Sequence, residues 1–422
     1  MNQFSGLERR LANMLSAFPG VKKAVKKLYQ RLVFMFSRSK SNYSCIQVLR
    51  EFEDSGETFF GYYDKSPLNK KSRYVLYHRT HYPTSRLPDP AHPVDIVIYD
   101  LAGSRELFHL RSTAYNWQQG SRLHWLDGDR FIFNDFEDGD YVSRIGSVSS
   151  RGIDSIIGFP VYDTCGNTAL SLNFERLNLL RPDYGYRNKG KFTKEDLLKL
   201  ENDGIFRVDL EKNKQELIIS LGELAVYELN NLPVDTLHKV NHLMISPAAD
   251  KFVFLHRYYV RGRKFDRLIL AGMDGKLSGV LSDQQMISHY CWLDNEVLLA
   301  YMRQFETGDQ YYLLNTGTRE TRILNGSVLA KYGDGHPSIH SGMMLFDTYP
   351  NRARMKELLI YDLESRELLK LGDFYESFRY YGETRCDLHP RWSADGRHIF
   401  LDSVHTGHRK LYMIELKDQL SG

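Results

Sequence analysis

Cysteine is scarce: four in 422 residues (Cys45, Cys165, Cys291 and Cys386), with no CxxC or CxH spacing. That excludes a zinc ribbon and gives no oxidised framework, so a reducing cytoplasm suits the chain. No stretch approaches the roughly 18 to 20 apolar residues needed to cross a bilayer. No short apolar segment with a small-residue cleavage site opens the chain, and secretion is not expected. The chain shows no glycine-rich phosphate loop and no convincing Asp-x-Asp site, which argues against a bound nucleotide-sugar donor. Proline is low as well, 13 residues against 31 Gly, 27 Tyr and 23 Phe. Such a balance favours turns and aromatic-rich strands over a helical bundle. With 42% hydrophobic and 26% charged residues, the chain has the composition of a globular protein with an extensive core.

Acidic residues are nearly absent from one place. Residues 1–44 hold nine Lys or Arg and a single acid, Glu8, so this segment carries +8 of a net +3 and the body is mildly acidic. Within it Val21, Ala24, Val25, Leu28, Tyr29, Leu32, Val33 and Phe36 recur at i, i+3, i+4, i+7 spacing with lysines opposite, the pattern of a basic amphipathic helix. A shorter one with Leu7, Leu11, Met14, Leu15 and Phe18 is predicted ahead of Pro19-Gly20. Two readings stand: a peripheral anchor on an anionic inner-membrane leaflet, or a helix packed on its own domain or on a partner. Nucleic acid is not expected as a partner, because the body is acidic and carries no recognisable motif for it.

From about residue 45 one unit recurs: a strand, a tight turn, a second strand. Its clearest copy runs from Leu388 to Asp402 around the turn Ser393-Ala-Asp-Gly396. Looser copies begin near Gly61, Gly120, Phe159, Asn241, Ser288 and Gly335, making seven. Units of roughly 40 to 60 residues, each able to supply four short strands, predict an all-β, seven-bladed β-propeller over residues 45–422. Residues 1–44 form a short basic helical segment ahead of it. The third unit carries an insertion at about 174–204, with a helical stretch near Lys194–Glu201. A loop that long is usually functional or disordered. The first and last units are short of strands, so the termini are expected to share strands in closing the ring.

Alignment on the turns puts Tyr62, Arg122, Phe159, His242, His289, His336 and His389 at the start of successive inner strands. The paired positions at the ends of the second strands are near His78, Asn134, Asn173, His256, Arg257, Arg303, Asp347 and Asp402. All are expected at one mouth of the central channel. Four neighbouring blades thus offer imidazole at equivalent positions, and convergent side chains of that kind are what a metal ion needs. His340, His398, His405 and His408 do not share the position and are read as turn or surface residues.

The segments Ser288-His-Tyr-Cys-Trp292, Asp334-Gly-His-Pro-Ser338, Asp347-Thr-Tyr-Pro350, Asp387-Leu-His-Pro-Arg-Trp392 and Asp402-Ser-Val-His405 resemble the oligogalacturonate lyase family and its relatives among TolB-like propellers. The resemblance covers most of residues 59–416. It implies a divalent metal, typically manganese, held by inner-strand histidines, and a further histidine acting as base in β-elimination from a uronic acid. By position it implies His242 as that base, with His289, His336 and His389 as metal ligands. The family's glutamine, placed just before two nearby histidines, has no counterpart here.

Such a reaction builds negative charge on the uronate carboxylate, which a metal or an arginine must stabilise. Arg122 and Arg176 are the candidates for catalysis, with Arg181 for binding the anionic oligosaccharide or polysaccharide. Tyr62, Tyr63, Gln118 and Gln119, together with Trp117, are candidates to hydrogen-bond or stack on its rings. Two other classes stay open. One is a non-lyase propeller of capsule or lipopolysaccharide biosynthesis at the inner membrane, acting as a transferase or a sugar-binding scaffold. The other is a TolB-like protein-interaction platform that needs neither metal nor sugar.

Overall fold

Phe131, Ile132 and Phe133 alternate across one strand, yet all three are fully buried. A strand covered on both faces reads as a continuous apolar run, and here the covers are the neighbouring sheets. Phe131 and Phe133 pack with Val75, Tyr77 and Ile98 on one side, whereas Ile132 packs with Ala169 and Val208 on the other. The computed structural model, which describes residues 19–37, 44–45, 49–52, 55–229 and 232–416, repeats this arrangement around a seven-bladed β-propeller.

Blade 1 contains Glu57–Phe59, Tyr74–Thr80, Val94–Asp100 and Arg105–Ser112, and blade 2 runs from His124–Trp125 to Gly152–Ile157. Blades 3, 4 and 5 begin with Asp163–Cys165, Leu237–Ile245 and Ile287–Trp292. Blade 6 begins with Ser338–His340 and blade 7 with Arg391–Trp392. The first strands of blades 3 and 4, 5 and 6, and 6 and 7 touch one another, which places them along the axis. The ring closes as the strand count suggests. Leu49–Glu51 supplies the outermost strand of blade 7, Leu49 opposite Ile414, and Ser44–Cys45 adds a fifth strand to blade 6.

Several second-strand ends, expected at the channel mouth, turn sideways and fasten the next blade. His78 accepts from Ser121 N at 3.1 Å, and Asn134 from Val161 N at 2.8 Å. Arg257 donates to the carbonyl of Ile287 at 3.1 Å. Asp347 accepts from Leu388 N and His389 N at 3.1 and 3.2 Å, and Asp402 from Phe60 N and Gly61 N at 3.0 Å each. Apart from the Arg257 contact, which reaches a carbonyl, each bond satisfies a buried backbone donor that the short inner strand leaves without a ladder partner. The first fastening also needs Gly120, at φ +58°, because a Cβ there would strike the His78 ring.

The insertion of blade 3 lies between Thr168–Leu172 and Gly204–Asp209 and holds helix Phe174–Leu180 and a 3-10 turn at Glu195–Leu198. Asn173 caps the helix, its side chain accepting from Glu175 N and Arg176 N. At the N-terminus a helix spans Pro19–Ser37, with Phe34 against Tyr375 and Phe378 of the propeller. The shorter helix predicted around residues 7–18 lies outside the described residues. Among the described residues no helix is long and apolar enough to cross a membrane.

Candidate functional site

The inner strands are irregular where they carry the aligned residues. In blade 4 the pairing shifts between Asn241 and Met244, and in blade 5 between Ile287 and Tyr290, so His242 and His289 fall within bulges. A bulge bends its strand and re-aims a side chain. Arg122, His242 and His389 share a left-handed backbone, with φ of 55, 53 and 43°. For a non-glycine residue that conformation costs on the order of 1 kcal/mol and persists only where its surroundings impose it. Asp347 holds His389 N as described, and the Tyr162 hydroxyl accepts from His242 N at 3.1 Å.

These kinks bring the four imidazoles together. Ring centroids are 5.9 Å apart for His242 and His289, 4.1 Å for His289 and His336, and 4.3 Å for His336 and His389. Blade 1, which has no histidine at this position, supplies aromatic rings instead. Tyr62 stacks on His242 at 5.3 Å and meets His389 at 5.1 Å, while Tyr63 lies 5.5 Å from His336. The Tyr62 hydroxyl bonds His242 Nδ1 at 2.7 Å. Tyr184, from the insertion, lies edge-on to His242 at 5.2 Å and closes the cluster from above. All of these groups are buried.

Their electrostatics differ. Burial pushes the His242 imidazole well below its ordinary range, and Arg257, His289, Lys239 and Arg181 add to the effect, so it is neutral near pH 7. His389 is lowered in the same way, by burial and then by His336 and Arg391. At His336 burial also lowers the value, but the Asp347 carboxylate, 2.9 Å from Nδ1, outweighs it and the pKa is raised. Burial would raise Asp387; Arg385, 2.6 Å away, prevails and holds it at about 2.

Nε2 of His336 and Nε2 of His389 are buried with no hydrogen-bond partner among the described residues. Donor atoms of His336, His389 and Asp387 lie within 4.8 Å of one another, a group that could hold a metal ion. Two imidazoles and a carboxylate make a donor set suited to a divalent first-row metal, and Asp347 on Nδ1 of His336 orients its ring as an outer-shell partner does. These residues fit the ion the resemblance implies. His289, although its ring is 4.1 Å from that of His336, is not in this group, and its Nδ1 lies 3.2 Å from Asp334 Oδ1.

Of the residues singled out from sequence, Tyr62, Tyr63, His242, His289, His336 and His389 meet in the cluster. Arg181 sits over the Tyr184 ring and pairs with Asp183 at 2.9 Å. Arg122 is held by Asp64 at 2.7 Å and by the carbonyl of Tyr162 at 2.6 Å. Every N–H of Arg176 is engaged, by Asp203 and by the carbonyls of Asp196, Leu197, Lys199 and His238. Gln118 donates to the carbonyl of Arg385 at 2.8 Å, and Gln119 to the Tyr162 hydroxyl at 3.0 Å. Sequence reasoning missed Asp387, Asp334 and Tyr184, and it placed Asp347 at the channel mouth without its role on His336. Asp387 had a signal: it stands two residues before His389, in the repeated Asp-x-His spacing shared with Asp334 and His336.

No protein-family model matches the chain, and no curated protein sequence does. Among solved structures, an oligogalacturonate lyase in complex with manganese superposes with a TM-score of 0.59 at 13% identity, over 90% of this chain and 98% of that one. The oligogalacturonate lyase of Vibrio parahaemolyticus gives 0.58 at 12% identity, over 89% of this chain and 97% of that one. The likeness at such identities is one of fold.

Proposed function

We propose that the protein is a carbohydrate-active propeller acting on an anionic, uronic-acid-containing saccharide by metal-assisted β-elimination. One observation carries this reading: two unpartnered imidazole nitrogens and a carboxylate converge beside a neutral, tyrosine-bound histidine. A divalent ion, manganese in the similar lyase structure, would be held by His336, Asp387 and His389 and would supply Lewis-acid stabilisation of the carboxylate charge. His242, uncharged and oriented by Tyr62, takes the proton from the carbon next to the carboxylate. The electron pair forms the C=C bond, the glycosidic C–O bond breaks, and the leaving oxygen gains a proton from solvent. Tyr184 covers the cluster, so the saccharide reaches it when residues 181–187 move aside.

The test is release of an unsaturated, ultraviolet-absorbing uronide from oligogalacturonate and other uronides by the manganese-loaded protein. Activity in the parent and its loss in His242→Ala are expected. A parent that releases no such product from any uronide, with manganese bound, overturns the reading.

The N-terminal helix favours a second reading, a non-lyase propeller of surface polysaccharide biosynthesis at an anionic membrane. Phe34 faces the propeller while Leu28, Leu32, Met35 and Phe36 are exposed, Phe36 at 83%. Lys22, Lys23, Lys26, Lys27 and Arg31 lie on the same helix. An exposed apolar edge with basic residues suits the surface of an anionic bilayer. Sedimentation with phosphatidylglycerol vesicles but not phosphatidylcholine ones, weakened in Phe36→Asp, is the expected result; equal recovery with both overturns it.

A further inference from the structure

Lys239 and Asn241 lie two residues apart on the first strand of blade 4, just ahead of the bulge that carries His242. Alternate strand residues share a face. Lys239 is 1% exposed and Asn241 is fully buried. The Lys239 amine and both polar atoms of the Asn241 side chain have no hydrogen-bond partner among the described residues. Leaving one such buried amide unpaired costs about 1–3 kcal/mol, and an unpaired buried charge costs more. Three orphaned atoms within three residues are therefore an expensive arrangement for packing alone.

The surrounding charges sharpen the point. Lys239 stands directly opposite Arg257 in the strand pairing, and like charges so placed repel. The nearby carboxylates are already committed. Asp266 lies 3.0 Å from Arg257 and 2.9 Å from Lys264, ion pairs without hydrogen-bond geometry, while Asp183 pairs with Arg181 at 2.9 Å and with Arg385 at 2.8 Å. Basic groups outnumber the anions available to them; burial, then Arg257 and Arg181, hold the Lys239 amine well below its ordinary range, and an incoming anion is the partner that would restore its charge.

We infer that Lys239 and Asn241 form a subsite for the anionic group of the ligand, a uronate carboxylate, presented beside His242. The amine ion-pairs with one carboxylate oxygen and the Asn241 amide donates to the same group, so an acidic sugar ring is oriented and a neutral one is not. This deepens the proposed function and rests on it for the identity of the anion; the subsite itself rests on the orphaned atoms. Neither Lys239 nor Asn241 belongs to the group that could hold a metal.

The test is isothermal titration of the full chain with digalacturonate, comparing the parent with Lys239→Met, together with thermal unfolding of both. The variant is expected to bind at least about tenfold more weakly and to unfold at the same or a higher temperature, since an unpaired buried amine is gone. Equal affinity overturns the subsite and leaves the proposed substrate standing. A variant that unfolds earlier with unchanged affinity marks Lys239 as a structural tie and also overturns it. Asn241→Leu, titrated alongside, decides the matter if Lys239→Met does not fold: unchanged affinity there rejects the subsite. A parent that binds no digalacturonate removes the uronate reading, and sulfate then serves as the probe. Sulfate binding lost in Lys239→Met upholds an anion subsite, and sulfate binding absent or unchanged rejects it.

Discussion

Arg122 and His389 occupy the same place in blades 2 and 7 and share the same left-handed kink, yet their surroundings are opposite. Arg122 itself is tied down. Asp64 and Tyr162 hold its guanidinium, and its carbonyl accepts from His124 Nδ1 at 2.7 Å. His124 Nε2 in turn meets the Thr164 hydroxyl at 2.7 Å. Around blades 4 to 7 the same architecture leaves Nε2 of His336, Nε2 of His389, the Lys239 amine and the Asn241 amide without partners among the described residues. A repeated position can therefore serve two ends. Where polar groups saturate one another the ring gains rigidity, and where they are left open it gains the capacity to bind.

The contrast is broken most directly at Arg122. Removing its side chain strands the Asp64 carboxylate in the interior, so Arg122→Ala is expected to lower stability by about 3–5 kcal/mol in urea unfolding. A loss under about 1 kcal/mol would place this side of the ring on the same footing as the other. His389→Ala is expected to keep most of its stability and to weaken manganese binding by more than the roughly 10–100-fold typical of losing an outer-shell partner. His289→Ala, outside the donor group, should change that affinity only about threefold, or roughly 0.6 kcal/mol. Manganese titrations of the two variants check both values, and equal losses would return His289 to the ligand set.

A smaller effect concerns pH. Burial, with Lys65 and Arg122, lowers the His124 imidazole from 6.5 to about 3. Between these values the unfolded chain binds a proton that the folded chain refuses, so the stability His124 contributes is whole above pH 6.5 and falls as pH drops. From pH 7 to 5 the loss is about 2 kcal/mol for this one group. His124→Gln, which keeps a donor and an acceptor, should flatten the decline by that amount when unfolding midpoints are compared at the two pH values.

Much of the ring was legible because its signal is local. A turn such as Ser393-Ala-Asp-Gly396 announces itself within a few residues, and histidines spaced 47, 47 and 53 residues apart count blades. What escaped depends on partners far along the chain. Arg122 reads as a free cation until Asp64, 58 positions earlier, is seen beside it. Asp347 and Asp402 read as channel-mouth carboxylates, but the backbone donors they serve belong to the next blade. Tyr62 and Tyr63 fill the centre because blade 1 contributes large rings there, and Asp387 stays ionised because Arg385 overcomes its burial. Such balances are set by packing, which strand periodicity does not encode.

Leu49–Glu51 joins the circle by pairing with Lys410–Glu415, strands that lie near opposite ends of the chain. During synthesis the early strand must wait for almost the whole protein to emerge, and the entropy of so long a closure is met in one late step. Until then the last blade presents an open edge, an invitation to a strand from another molecule. Deleting the residues before Phe52 would make that transient edge permanent, and such a protein is expected to gather into oligomers in the cell.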